Sequence, residues 1–258
     1  MRLLLGAAVV AALVTSMGGC SGEGAASSTD AGITKPRDAG DPNANDWSCL
    51  GAVHFPSPTE ASLQIPVLLT DAVAYVPIVG SQIRACSDPS DPSCAAPVDM
   101  PRGTDAQGMA PFVLPPGTSG FSGYFEVSQP GQLTNLHAVW PPFWESVSSY
   151  WLAEWADSDF KAYTDGVGVA WDTAAHGSII IEAHDCAGLN APYHGVMKLA
   201  EGLTFNVDTA DAKTAVGYMK GLLVTANGPT NAGGAAAIIN VPPGVATVTG
   251  TLTATGQT

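Results

Sequence analysis

Two stretches of this chain follow one template, element for element. The first holds Ile65-Pro-Val-Leu-Leu-Thr-Asp71, Pro77-Ile-Val-Gly80, Thr104-Asp-Ala-Gln-Gly108 and Phe112-Val-Leu-Pro-Pro-Gly117. The second holds Ile179-Ile-Ile-Glu-Ala-His-Asp185, Pro192-Tyr-His-Gly195, Thr230-Asn-Ala-Gly-Gly234 and Ile238-Ile-Asn-Val-Pro-Pro-Gly244. The offset grows from 114 residues (Ile65 to Ile179) to 127 (Gly117 to Gly244), as loop insertions in a repeated domain would make it. A chain built this way contains two copies of one small fold.

The elements say which fold. Pro-x-x-Gly between apolar runs is a turn, with proline fixing φ and glycine permitting φ > 0. Thr-Asp/Asn-x-x-Gly offers a side-chain-closed turn ending in glycine, and Pro-Pro-Gly ends one strand and redirects the chain into the next. After Gly244 the sequence alternates, with Ala246, Val248, Gly250 and Leu252 on one side and threonines on the other, the pattern of a half-buried strand. Frequent Gly and Pro with late segments rich in Val, Thr and Ile predict an all-β chain of short strands and tight turns.

On these residues the template resembles the carboxypeptidase-regulatory-like domain, a transthyretin-like β-sandwich. Asn190-Ala-Pro192-Tyr-His-Gly195-Val, both Thr-x-x-x-Gly turns and both Pro-Pro-Gly corners carry the likeness. Asp46-Trp-Ser-Cys-Leu-Gly51 is similar to the start of bacterial lipoproteins with such domains in tandem. The resemblance implies two transthyretin-like, Ig-like sandwiches, at 47–135 and 177–258, joined by an aromatic segment at 136–176. It implies a closing strand after the Pro-Pro-Gly strand. The first copy has material for it near Gly131 to Val139, whereas the second reaches Thr258 without it, so an earlier segment or a partner would have to fill that edge. In carboxypeptidases this sandwich accompanies a zinc peptidase domain; none is recognisable here, so no peptidase activity is carried over.

The amino terminus predicts the compartment. Met1-Arg2 precedes twelve apolar residues, Leu3 to Val14, and then Ser16-Met17-Gly18-Gly19-Cys20. A charged start, a short apolar run and a small-residue site describe a secretory leader, and the run is too short to span a bilayer, which takes roughly 20 residues. Small residues before a cysteine resemble the lipobox of bacterial lipoproteins, with Met17 where leucine is usual. The expectation is a leader over 1–20, lipidation of Cys20, and attachment to the cell envelope. Ser21 rather than Asp after the cysteine favours the outer membrane by the same resemblance. Residues 21–46 are Gly, Ala, Ser, Thr, Asp and Pro with little to bury, and read as a disordered tether of about 25–30 Å root-mean-square reach.

Charge narrows the partners. Of nine Lys and Arg, removing Arg2 leaves eight against twenty-three Asp and Glu, a formal −15. Nucleic acids and anionic lipid surfaces need the opposite sign. The membrane contact expected is therefore the lipid anchor, with a glycan or an envelope protein as the partner class.

Four cysteines follow Cys20, and an exported protein meets oxidising conditions. Three connectivities exist for four cysteines. Cys86 and Cys94 flank a Ser-Asp-Pro-Ser-Asp-Pro-Ser loop and are expected to staple it, leaving Cys49 with Cys186. No Cys-x-x-Cys pair supports zinc or redox chemistry.

Residues 136–176 hold five of the six tryptophans. Val147, Trp151 and Trp155 lie four apart, which predicts a short helix over 146–160 with Tyr150 on the adjoining row. Trp144, Trp151 and Trp155 are the candidate binding residues if exposed, and a seam between sandwiches if buried.

No catalytic constellation emerges. Gly-x-Ser-x-Gly, His-Glu-x-x-His and the phosphate loop are absent, and Glu145 and Glu154 fall on different faces of the expected helix. His184, Cys186, His194 and Met197 resemble a copper loop in composition only, since seven residues separate Cys186 from His194. The expectation is a non-enzymatic, lipid-anchored envelope protein with a structural or adhesive role and no cofactor or metal; the alternative is a glycan- or protein-binding module using the tryptophans.

Overall fold

A computed structural model describes residues 10–13, 45–47, 55–88, 91, 93–130, 132–186, 199–220 and 223–253. The described chain is all-β with one helix. In order the elements are β1 (Val10–Leu13), β2 (Leu63–Asp71), β3 (Gln82–Cys86), β4 (Arg102–Gly103), β5 (Met109–Leu114), β6 (Tyr124–Ser128), β7 (Asn135–Ala138), β8 (Tyr150–Glu154) and α1 (Asp157–Val167). Then come β9 (Gly177–Glu182), β10 (Leu203–Val207), β11 (Ala215–Lys220), β12 (Leu223–Thr225), β13 (Ala235–Val241) and β14 (Gly244–Leu252).

Sheets β5-β2-β8 and β4-β3-β6-β7 enclose one core, and sheets β12-β11-β13-β9 and β1-β14-β10 enclose another. In β2 the period of two sends Leu63, Ile65, Val67 and Leu69 inward with no exposure at all. Phe112 from β5, Phe125 from β6 and Ile83 from β3 meet them. Each such side chain contributes about 1.5–3 kcal/mol by leaving water.

Two prolines sit opposite each other in this sheet, Pro66 on β2 and Pro111 on β5. Leu69 N–H points to β5, donating to Gly108 O, so the even-numbered N–H groups of β2 point the other way. Gln64 N–H accordingly donates to Ser146 Oγ. The N–H that Pro66 lacks would fall between that contact and the start of β8 at Tyr150, so no ladder bond is lost. Val113 N–H donates outward to Asp99 Oδ2, so Pro111 likewise turns its missing donor to the open edge of β5.

Backbone hydrogen bonds define the repeat better than the sequence match does. Leu69 N–H donates to Gly108 O, and Ala183 N–H to Gly234 O. Ile78 N–H donates to Leu69 O, and Ala200 N–H to Ala183 O. Gly80 N–H donates to Thr104 O, and Gly202 N–H to Thr230 O. The counterpart of Pro77–Gly80 is therefore Leu199–Gly202, not the expected Pro192–Gly195, which lies outside the described residues along with Asn190. Proline is dispensable there because the bonds to the first strand shape that turn.

The expected helix over 146–160 is not formed. Tyr150–Glu154 is strand β8, paired in parallel with Val67–Asp71 on the free side of β2. That open edge overrides the four-residue spacing, which suits a helix only in isolation. The helix starts later, at Asp157, with acidic residues in its first turn, and ends at Gly168, whose φ of 79° and N–H bonds to Thr164 O and Asp165 O close it. Phe160 and Tyr163 pack with Met219 and Val224 of the second sandwich.

Residues 136–176 are thus divided rather than a separate linker. The strands β7 and β8 belong to the first sandwich and α1 to the second. The end of the expected tether is held in place: Asp46 O accepts Cys186 N–H at 2.7 Å, and Asn45 Nδ2 donates to Glu201 O at 3.0 Å. Residues 45–46 therefore dock on the second sandwich. On β14, the edge corresponding to the one that carries β7 in the first sandwich is covered by Val10–Leu13, in parallel with Gly244–Thr247. An earlier segment fills that place in the full-length chain; it lies within the expected leader, so export would remove it. The rest of 1–20, including Cys20, and the tether up to Ala44 lie outside the described residues.

Cys86 and Cys94 are bridged, with Cα atoms 5.6 Å apart. The loop they close is further fixed by Asp91, whose carboxylate accepts Ser93 Oγ–H, Ser93 N–H and Ala95 N–H and is held below its usual range chiefly by the Ser93 hydroxyl. Cys186 is also in a disulfide; Cys49, the partner expected for it, lies outside the described residues.

Candidate functional site: the Tyr75–Trp151 loop

Strand β2 ends in a turn that its last residue builds. Asp71 Oδ1 accepts the N–H groups of Val73 (2.8 Å) and Ala74 (2.6 Å). Its carbonyl accepts Tyr75 N–H, and its own N–H donates to Val76 O. This reversal holds Tyr75 at φ 56°, a conformation that costs a non-glycine residue about 1–3 kcal/mol and that recurs at functional positions.

The turn presents apolar side chains to solvent. Tyr75 is 68 % exposed, Val76 53 % and Val79 57 %, while Ile78 turns inward against the core. From Ala72 to Gly80 the only polar side-chain atom is the Tyr75 hydroxyl.

Trp151 joins this surface because β8 is a strand. Alternation turns Leu152 and Glu154 inward and leaves Trp151 52 % exposed beside Leu68. Its Nε1–H donates to Thr70 Oγ1 at 2.6 Å, and its ring stacks on Tyr75 with centroids 6.1 Å apart and planes 25° from parallel.

The other candidate tryptophans are elsewhere. Trp144 is buried and stacks on Phe55 at 5.6 Å, and Phe55 also meets Trp140 edge-on. Trp155 is half-buried against Tyr163. The three do not form one exposed strip. Tyr75, which the tryptophan count passes over, is the residue that completes the site; the nine-residue run Ala72–Gly80, without a charge, is its signal.

Two ionisable clusters fasten neighbouring segments. His137 Nε2 lies 2.5 Å from Glu154 Oε1, and Asn135 Nδ2 donates to the other carboxylate oxygen, tying β7 to β8 across the two sheets. In the second sandwich, His176 contacts Asp172 (3.2 Å) and Asp211 (3.1 Å), and Lys213 Nζ donates to Asp172 at 2.8 Å. The hydrogen bond from His176 is the largest influence on Asp211, bringing its pKa down to about 2. Burial, then the charge of Glu182, pushes the Tyr150 hydroxyl up to about 12.

Among the described residues, no three His, Cys, Asp or Glu side chains are grouped to hold a metal ion. His184 lies 3.9 Å from Glu182; His194 and Met197 lie outside the described residues. Among the described residues, no helix is long and apolar enough to cross a membrane.

No protein-family model and no curated protein matches the chain. Among solved structures it is similar to the Bacillus anthracis TIE protein, at 15 % identity and a TM-score of 0.28, over 74 % of this chain and 29 % of that one. The chain thus spans less than a third of that protein's length.

Proposed function

We propose that this chain is a non-enzymatic, lipid-anchored protein of the bacterial outer membrane, with tandem carboxypeptidase-regulatory-like sandwiches and an adhesive or structural role. The observation that carries the reading is the Tyr75–Trp151 loop, an apolar and aromatic surface held open by a strained turn on an otherwise well-packed sandwich. The leader, the Ser21 that follows Cys20 and the acidic surface support an exported protein held by acyl chains rather than by charge. The matched Thr104–Gly108 and Thr230–Gly234 turns support the family.

The test is made in cells that export the protein. Labelled fatty acid is expected on the native chain and not on Cys20→Ser, which is released from the envelope. A Val76→Asp/Val79→Asp chain is expected to reach the envelope at native levels and to lose surface adherence. Adherence equal to native would remove the loop from the function; absence of label on the native chain would remove the anchor.

A glycan-binding reading has one specific observation behind it. Clefts of about 420 and 400 Å³ flank Trp171, the first beside the Lys213–Asp172 pair and the second beside Lys161–Asp165. Loss of oligosaccharide binding on Trp171→Ala, with Trp151→Ala unaffected, would favour it.

A further inference from the structure

We propose that the Ala72–Gly80 loop, with Trp151, is a membrane-docking element that enters the interfacial region of a zwitterionic lipid surface. The inference rests on the exported, surface-acting reading above and names the partner of that same loop.

Its first support is the loop's backbone. A segment can enter an apolar medium cheaply only if its polar groups are already paired. Ala72 N–H donates to Glu154 O (2.8 Å), Val73 and Ala74 N–H to Asp71 Oδ1, Tyr75 N–H to Asp71 O, Ile78 N–H to Leu69 O and Gly80 N–H to Thr104 O. Pro77 has no N–H to satisfy. Six of the loop's eight N–H groups are thus paired before it meets anything.

The second support is its side chains. Val76 and Val79 are more than half exposed, and no charged residue lies between Asp71 and Arg84. Tyrosine and tryptophan prefer the bilayer interface, where an apolar ring and a polar tip are both accommodated. Trp151 Nε1 is already bonded to Thr70, so its ring can leave water without stranding a donor.

The same facts argue against a sugar at this place. A sugar is bound by hydrogen bonds as well as ring contact, and besides the Trp151 Nε1–H, already bonded to Thr70, the side chains here offer only the Tyr75 hydroxyl. The strongly negative net charge of the exported chain repels anionic headgroups, which restricts the surface to zwitterionic lipid.

The test uses the protein as its cells export it, mixed with phosphatidylcholine–phosphatidylethanolamine vesicles containing doxyl-labelled phosphatidylcholine. The spin label is expected to quench part of the tryptophan emission, and Trp151→Phe to remove that part. Val76→Asp/Val79→Asp, at sites too exposed to threaten the fold, is expected to lower the fraction of loops in lipid contact, read as spin-label quenching while the acyl chains hold either protein at the vesicle, about tenfold or more. Val76→Ala/Val79→Ala should fall between, and added phosphatidylglycerol should weaken docking. Quenching that is absent from the native protein, or equal in native and Val76→Asp/Val79→Asp chains, overturns the proposal. Binding of a purified envelope protein that needs the loop, without lipid quenching, overturns it in favour of protein docking. The mass of the Cys20 peptide reports the anchor separately, so loss of the anchor and loss of the loop contact are told apart.

Discussion

Gly108→Ala will destabilise the first sandwich by about 2–4 kcal/mol, and Gly234→Ala will do the same to the second. Both glycines occupy left-handed backbone, at φ 75° and 57°. A Cβ at Gly108 would stand 2.6 Å from Leu69 O, and one at Gly234 would stand 2.7 Å from Ala183 O. Those oxygens belong to the first strand of each copy or to the residue just after it, and each accepts the N–H of Ile78 or Ala200. Methyl groups would therefore separate the turn from the strand that shapes it. In a domain of this size the loss lowers Tm by roughly 10–20 °C. Calorimetry of each variant checks it; a Tm within a degree or two of native for either would mean that the two turns are not the matched units described above.

Glu154→Ala is the other large effect, about 2–4 kcal/mol, the range lowered because His137 keeps some contact with water. Glu154 is only 5 % exposed and receives both Asn135 Nδ2–H and the His137 ring. Its removal strands two polar groups between β7 and β8, the strands that close one side of the first sandwich. Glu154→Gln keeps the shape and one acceptor and should cost about 1–2 kcal/mol. Denaturant unfolding of the two variants separates them; equal midpoints would mean that the shape and acceptor kept by glutamine contribute nothing and that the clasp rests on the carboxylate charge alone.

Turn chemistry was the most legible layer. The Thr-x-x-x-Gly and Pro-Pro-Gly elements fall where glycine conformation and strand ends require them, and the alternation after Gly244 is the alternation of β14. The Cys86–Cys94 staple followed from the loop it closes. What misled was local pattern where a long-range edge decides. Val147, Trp151 and Trp155 have helical spacing, yet β2 offers an unpaired side and Tyr150–Glu154 takes it. Pro192–Gly195 matches Pro77–Gly80 in letters, while Leu199–Gly202 matches it in hydrogen bonds.

The candidate site was half legible. Aromatic count marks Trp151 as a binding residue, but with Trp144 and Trp155 as its companions. Only the strand reading turns Trp151 out and Leu152 in, and only the folded turn brings Tyr75 to its ring. Pro77–Gly80 reads as a turn in the sequence, but only the fold decides which of its apolar side chains face water: the core takes Ile78 and leaves Val76 and Val79 exposed.

Acrylamide quenching of native protein beside Trp151→Phe, Trp144→Phe and Trp155→Phe tests the open aromatic loop most directly. The structure predicts that Trp151→Phe removes a red-shifted, readily quenched part of the emission, and that the other two substitutions leave that part in place. If Trp151→Phe left the quenchable fraction unchanged, Trp151 would be shielded and the loop would not be the surface through which this protein acts.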